Sequence, residues 1–459
     1  MNNADIELIQ ANARALPLGD HSVQCIVTSP PYWGLRKYSG EQEFIWGGDL
    51  SCEHRFLVWS LMPVDRDRKE SGCRCGAWRG AYGMEPAIEM YVQHTVEILR
   101  ELRRVLRPDG VLFWNIGDSY HNGDKGGYRK SRLGLRSEMQ KSNMGGDIPG
   151  APNRNPQPGL KPKDLCLIPE RVAIAAQADG WWIRSIIVWA KPNPMPESCQ
   201  DRPTDAYEHI LMLTKSEHYF WDADAVREPA VQGDRVRSDV IGGNRSSILQ
   251  HSPSGKFTQG YDEFGYAPKG THSRGKGDGG PKARARATED NFRDWADSTR
   301  DVLGYRNIRN VWMFATQPFA GAHFATFPEE LPRRCILAAT SAKGACAQCG
   351  APWERVTRSK FYGNWNPGPG SNGPMKVNAQ WEPPETIGWT PTCRCPGQRG
   401  KTVPCVVLDP FAGSGTTGRV ARSLRRRAIL ADVAYGAGDE YRKLALDRIR
   451  GVDVELPFL

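Results

Sequence analysis

An α/β fold with a mainly parallel sheet and helices on both faces is predicted by three features of the chain. Short apolar runs end in turns, stretches of helical period lie between them, and one late strand feeds a Gly-rich turn at a helix start. Gln24-Cys25-Ile26-Val27 is the first apolar strand and stops at a Pro-Pro turn. Residues 87 to 106 carry apolar or small side chains at Ile88, Tyr91, Val92, Thr95, Ile98, Leu99 and Leu102, the spacing of one helix face. Pro108-Asp109-Gly110 reads as the turn into a second strand, Val111-Leu112-Phe113-Trp114. Residues 168 to 178 read as a helix, 181 to 189 and 209 to 214 as strands, and Val406-Val407-Leu408 as a strand that runs into a helix from about Thr416. No internal repeat is present.

The 459 residues leave room for one large α/β domain plus insertions, at about 100 to 200 residues per domain. Three stretches rich in Gly, Pro, Ser and Asn, residues 122–163, 231–300 and about 360–390, hold too few aliphatic residues to bury a core and read as surface insertions. The expected organisation alternates core and insertion. Core segments are 1–50, 81–121, 164–221, 311–345 and 396–459; between them lie a Cys/His insertion at 51–80, a basic one at 122–163, a recognition region at 222–310 and a Cys-rich one at 346–395. Lys and Arg number 61 against 52 acidic residues, a net charge of +9 that suits a polyanionic partner and equally an ordinary basic protein. The basic segment 122–163 is either a solvated loop or a phosphate-gripping one; charge alone does not choose. Apolar runs fall short of the roughly 18 residues that cross a bilayer, so no membrane contact is expected. Met1 to Asp5 has neither the basic head nor the apolar core of a secretory leader, and a reducing, cytoplasmic compartment is expected.

Val406 to Gly418 combines a buried strand, a tight turn and a helix start. Gly413 and Gly415 let the backbone approach a ligand, and the free amides of a helix N-terminus favour an anionic group there. A second apolar strand, Ala428-Ile429-Leu430-Ala431, ends at Asp432, near the spacing at which an acid reaches ribose hydroxyls. The pair points to an adenosine-containing ligand. A triphosphate loop needs a lysine after its last glycine, and Gly415 is followed by Thr416-Thr417.

Thr28-Ser29-Pro30-Pro31-Tyr32-Trp33 closes the first strand. Two prolines stiffen the turn, so the Pro30 carbonyl and the Ser29 hydroxyl can face outward as acceptors beside an aromatic ring. That set fits a flat base bearing an NH2 group, with Tyr32 stacked on it, and it equally fits a Pro-Pro turn before a packed aromatic pair. Together with Asp409-Pro410-Phe411-Ala412-Gly413-Ser414-Gly415-Thr416-Thr417, the loop resembles the S-adenosylmethionine-dependent DNA amino-methyltransferases, whose catalytic motif is Ser-Pro-Pro-Tyr or Asp-Pro-Pro-Tyr and whose Phe-x-Gly-x-Gly region binds cofactor. The catalytic motif comes first, the order of the permuted β class. The resemblance extends over residues 84–119, 181–222, 323–328 and 404–449, and it implies a Rossmann-like class I methyltransferase fold.

Carried over, the resemblance gives Ser29, Pro30, Pro31 and Tyr32 the target base. It gives Asp409, Pro410, Phe411, Gly413, Ser414, Gly415, Thr416 and Thr417 the methionine end of the cofactor, and Asp432 the ribose. Asn12, in Gln10-Ala11-Asn12-Ala13, stands where the family has an acid near the adenine, and Thr326 and Phe327 belong to an additional cofactor segment. Serine at the head of the loop is more typical of N4-cytosine enzymes and aspartate of N6-adenine enzymes, so cytosine is favoured. Direct transfer to the amine needs no covalent intermediate, and Cys405 reads as a buried small residue rather than a nucleophile. Methylation of another amino or amide nitrogen, in RNA or protein, and a zinc-containing nucleic-acid-binding protein without activity are the alternatives. The intact loops favour the enzyme.

The 12 cysteines include two clusters. Cys346, Cys349, Cys393 and Cys395 form two close pairs; Cys52, His54, Cys73 and Cys75 form another set of the same kind. Both suit tetrahedral structural zinc, one or two ions in all, with disulfides and free thiols as the competing readings. Double-stranded DNA is the implied partner, with Lys191 to Ser198, the segment after Tyr120, and Arg284 and Arg286 as candidate contacts. A cognate restriction nuclease, a monomer or loose homodimer, and a bacterial or phage origin are all compatible.

Overall fold

The computed structural model describes residues 6–34, 42–49, 51–56, 72–121, 157–229, 305–317, 327–358, 361–362, 380–381, 384–395, 401–436 and 440–452. Most of the basic segment after Tyr120, Arg284, Arg286 and Thr326 lie outside these residues. The chain divides into two units, one of residues 1–226, 309–356 and 388–459 and the other of 227–308 and 357–387. In the second, Glu228–Pro229 pairs antiparallel with Tyr305–Arg306, and Phe361–Tyr362 with Gln380–Trp381.

The first unit is built on an eight-stranded sheet. From one edge its strands are β1 (Ile6–Gln10), Arg427–Asp432, Val406–Asp409, β2 (Val23–Thr28), β5 (Leu106–Ile116), β7 (Tyr207–Thr214), β6 (Trp182–Ala190) and Val311–Met313. All pairings as far as β5 are parallel. β7 runs antiparallel to both β5 and β6, and the edge strand returns parallel to β6. Every residue of β2 is buried, as expected where helices cover both faces of a parallel strand. The sequence reading of a mainly parallel α/β sheet holds.

Helix α1 (Ile88–Val105) buries Ile88, Tyr91, His94, Thr95, Ile98, Leu99, Leu102 and Val105, a stripe of period three to four against the sheet. It ends without a separate turn, because Leu106 takes an extended backbone and begins β5 directly. The expected turn at Pro108-Asp109-Gly110 is instead an irregularity within β5. Val23 pairs with Leu106 and Cys25 with Val111, so residues 107–110 stand opposite Gln24 alone. Pro108 has no N–H for the ladder, and a Cβ on Gly110 would lie 2.8 Å from the Gln24 carbonyl, which explains why the ladder breaks there. A separate antiparallel ribbon, β3 (Glu43–Trp46) with β4 (Trp78–Ala81), lies outside the large sheet. No helix among the described residues is long and apolar enough to cross a membrane.

Candidate active site

β2 and Val406–Asp409 are parallel neighbours, with Val407 opposite Cys25 and Leu408 opposite Ile26, so the loops that follow them leave the same end of the sheet. Ligands of open α/β sheets bind at that end. The loops converge on one cavity of about 1060 Å³, including its solvent-open part. Ser29 and Pro31 line it from the first loop; Pro410, Phe411, Ala412, Gly413, Ser414 and Thr416 line it from the second. Asn12, Phe327 and Asp432 are also on its wall, as are Phe44, Trp46 and Tyr82, which the sequence reading did not single out.

Pro30, expected at the target base, is buried, and neither it nor Asp409, Gly415 and Thr417, expected at the cofactor, line this cavity. Asp409 is 1% exposed, and its carboxylate accepts hydrogen bonds from the Thr28 hydroxyl (2.7 Å), the Thr417 hydroxyl (2.7 Å) and the Phe411 amide (3.1 Å). Burial pushes its pKa up to about 6, against the lowering effect of those three donors. The residue braces one loop against the other from beneath. Gly415 caps the helix Thr416–Ser423 with φ of +77°, and a Cβ there would meet the Ala445 Cβ at 3.0 Å. Asp432 accepts from the Gly413 amide and the Ala434 amide, each at 2.9 Å, which fixes the glycine turn from the neighbouring strand. The Tyr435 hydroxyl donates to the Gly413 carbonyl at 2.7 Å, and Arg448 donates to the Ser414 carbonyl at 3.0 Å.

The first loop is held as firmly. Tyr91 on α1 donates to the Pro31 carbonyl (3.0 Å), and the buried Trp33 indole donates to the Glu85 carbonyl (2.9 Å). The Glu85 side chain in turn accepts from the Gly83 amide and meets His94 Nδ1 at 3.0 Å. Burial pushes the Glu85 pKa up to about 8 and the His94 pKa down to about 4, so near neutral pH this contact is a hydrogen bond between uncharged groups rather than an ion pair.

Tyr32, expected to stack on the target base, does not line the cavity. Its hydroxyl donates to Glu208 (2.7 Å), accepts from the Asn115 amide (2.8 Å) and lies 2.9 Å from Ser29 Oγ. Asn115 also donates to Glu208 (2.8 Å), and Lys191 forms an ion pair with the same carboxylate. The ring lies against Gly117, where an added Cβ would come within 2.8 Å of it.

The two cysteine clusters come together in space. The ligand atoms of Cys52, His54, Cys73 and Cys75 lie within 4.8 Å of one another, and so do those of Cys346, Cys349, Cys393 and Cys395. All seven cysteines among them are outside any disulfide. Cys52 Sγ is 3.8 Å from Cys73 Sγ and Cys75 Sγ is 3.3 Å from His54 Nδ1. With Zn–S of about 2.3 Å the S···S edge of a tetrahedron is about 3.8 Å, whereas a disulfide needs about 2.05 Å. The Cys75 amide pulls the Cys73 thiol down to about 7, and the Cys349 amide does the same for Cys346. Cys52 is pushed up to about 12 by the Cys75 thiol beside it.

The sequence profile of the DNA methylase family (N6_N4_Mtase) matches residues 23–347 and 405–441, both loops included. The chain belongs to this family. It is 30% identical over 443 residues to the type II methyltransferase M.Cfr9I of Citrobacter freundii, covering 96% of this chain and 86% of that protein. It is 31% identical over 438 residues to M.XycI of Xanthomonas campestris pv. cyanopsidis, with 95% and 84% covered, and 28% identical over 451 residues to M.SmaI of Serratia marcescens, with 98% and 92% covered. The enzyme is therefore a DNA amino-methyltransferase that uses S-adenosylmethionine, and DNA is its substrate.

Within the methyltransferase, Cys405 is fully buried, and burial pushes its thiol pKa up to about 11. A thiol in that state is no nucleophile. Asn115 and Glu208 escaped the sequence reading, and Lys191 entered it only as a candidate DNA contact. A parallel-to-antiparallel crossover brings them together, with Asn115 opposite Ile210 and Glu208 opposite Trp189, and nothing in the spacing of residues 115, 191 and 208 announces it.

Proposed function

We propose that the enzyme methylates N4 of cytosine in duplex DNA, with the base turned out of the stack into the cavity at the ends of β2 and Val406–Asp409. The observation that carries methyl transfer is the shared wall: Ser29 and Pro31 face the same space as Pro410 to Ser414. The preference for cytosine rests on serine at the head of the loop. When bound, S-adenosylmethionine would supply an electrophilic methyl on sulfur: the amine nitrogen would form the new N–C bond as the C–S bond breaks, leaving S-adenosylhomocysteine and releasing one amino proton to solvent.

The chain's part is to hold and polarise. Ser29 Oγ and the Pro30 carbonyl accept the two amino hydrogens, which draws the nitrogen toward a pyramidal form with its lone pair directed at the methyl. Asn115 and Glu208 fix the Tyr32 hydroxyl beside Ser29, so the serine is oriented before the base arrives. Of the residues on the cavity wall, Phe411, Gly413 and Ser414 are assigned the methionine end, Asp432 the ribose, Asn12 the adenine, and Phe327 a further cofactor contact. Residues 222–310 supply target recognition. The type II designation of the relatives supports a protective role opposite a restriction nuclease in a bacterial cytoplasm.

Both cysteine clusters fit structural zinc, held by three thiolates and an imidazole in one and by four thiolates in the other, since four protein ligands leave no open position for chemistry. The deciding experiment is incubation with labelled S-adenosylmethionine and duplex DNA followed by nucleoside mass spectrometry. N4-methylcytosine is expected; N6-methyladenine would refute the base assignment, and unmodified DNA with an intact, cofactor-binding protein would refute the activity.

A further inference from the structure

The β3–β4 ribbon pairs over four positions, from Glu43 with Ala81 to Trp46 with Trp78, and a two-stranded ribbon of that size is marginal in water. Yet it forms part of the cofactor cavity: Phe44 and Trp46 of β3 and Tyr82, just after β4, stand on the wall with Phe411 and Asp432. Trp46 is 2% exposed, stacks on His94 and Tyr82, and donates its indole N–H to the Gly80 carbonyl. Tyr82 stacks on Phe411 with centroids 5.9 Å apart. The aromatic wall therefore reaches from the ribbon to the glycine loop.

The Cys52, His54, Cys73 and Cys75 cluster sits where the ribbon opens into its long connection. Cys52 and His54 follow β3, and Cys73 and Cys75 precede β4. The arms between the strands and the cluster touch: a Cβ on Gly48 would fall 2.5 Å from the Ala77 Cβ. Cys73 accepts at its carbonyl from the Gly76 amide and donates its own amide to the Ala77 carbonyl, a tight knuckle that aims its thiol inward. Without a cross-link, the ribbon must close a loop over residues 47–77. With one, the closure spans only the arms 47–51 and 76–77, which changes the closure equilibrium by about tenfold.

We propose that metal in this cluster sets the affinity of the cofactor cavity, by clasping the ribbon that forms its aromatic wall. The inference rests on the zinc reading above. The Cys346, Cys349, Cys393 and Cys395 cluster is the internal control, because none of the described residues between 340 and 395 lines the cavity.

The test uses the full-length protein, with zinc measured by mass spectrometry, S-adenosylhomocysteine binding by calorimetry and folding by circular dichroism. The Cys73→Ser/Cys75→Ser variant should lose one zinc per chain and bind S-adenosylhomocysteine about tenfold more weakly. Cys393→Ser/Cys395→Ser should lose one zinc and bind within about twofold of wild type. Because a cysteine variant can unfold, Cys393→Ser/Cys395→Ser, which keeps the ion of the first cluster alone, is also titrated with chelator: its affinity should fall as that zinc leaves and return on zinc addition. Trp46→Ala should keep both metals and still bind weakly. Zinc lost with affinity unchanged, or equal loss of affinity in both cysteine variants, overturns the coupling alone. Purified, reduced wild type that carries no zinc overturns the zinc reading and the coupling with it.

Discussion

Asp409→Asn should stabilise the protein, by an amount that depends on pH. The wild-type carboxyl is buried, with a folded-state pKa of about 6 against an ordinary value of 3.8. Its raised pKa gives the folded state a protonation advantage that is fully present below pH 3.8 and lost as pH rises through 6. Above that, ionising Asp409 in the folded chain costs about 3 kcal/mol, from roughly two pKa units at 1.36 kcal/mol each. At pH 5 the folded carboxyl is mostly protonated while the unfolded one is ionised, and the cost falls to about 1.6 kcal/mol. Asparagine removes this cost and can keep the network. Its oxygen accepts from Thr28 and the Phe411 amide, and its NH2 donates to Thr417, whose own proton turns to the Val27 carbonyl at 3.4 Å. Urea unfolding of both proteins at pH 8 and pH 5 should show the variant ahead by about 3 and about 1.6 kcal/mol. Cofactor binding should survive within a few fold, since the side chain does not line the cavity. A gap independent of pH, or an asparagine variant less stable at pH 8, would refute the reasoning.

Tyr32→Ala should abolish most methyl transfer while Cys405→Ala retains it, and a methylation assay giving the reverse would overturn the site assignment. Glu208→Gln should slow single-turnover methylation about ten- to a hundredfold with S-adenosylhomocysteine affinity unchanged, because it weakens the hold on Tyr32 and not the cofactor wall. The Glu85 carboxyl, with its pKa raised from 4.5 to about 8, contributes stability that is full below pH 4.5 and lost as pH rises through 8. The stability of Glu85→Gln relative to wild type should therefore climb from pH 5 to 8 and level off above, as thermal unfolding at several pH values would record.

What the sequence made legible was local. Apolar runs marked the sheet strands, the helical stripe on α1 was visible, and glycine and proline at strand ends marked the two loops that meet. The clustered cysteines likewise announced themselves by pairing. What stayed hidden depended on partners far along the chain. Asp409 looked like a ligand contact because nothing near it reveals that Thr28, 381 positions away, uses one of its oxygens. Tyr32 reads as a stacking ring because Glu208, which takes the bond from its hydroxyl from 176 positions away, is invisible from the loop. The Pro108 to Gly110 turn was misplaced because an extended Leu106 makes the exit from α1 by itself.

The same long-range bond explains why the order of the motifs along the chain need not matter for the chemistry. Hydrogen-bonded neighbours in a parallel sheet present their ends together whatever connects them, so the first loop and the one nearly four hundred residues later meet because β2 and Val406–Asp409 are adjacent. Adjacency alone leaves register open, and a slip of one residue would turn every side chain to the opposite face. The Thr28 to Asp409 bond and the Gly413 to Asp432 bond remove that freedom, because each joins the end of one strand to the strand or loop beside it, while the Thr417 to Asp409 bond ties the following helix back to its own strand. The buried carboxyl thus works beneath the cavity rather than on its wall: by bonding Thr28 and the Phe411 amide, Asp409 sets where Ser29 stands relative to Phe411.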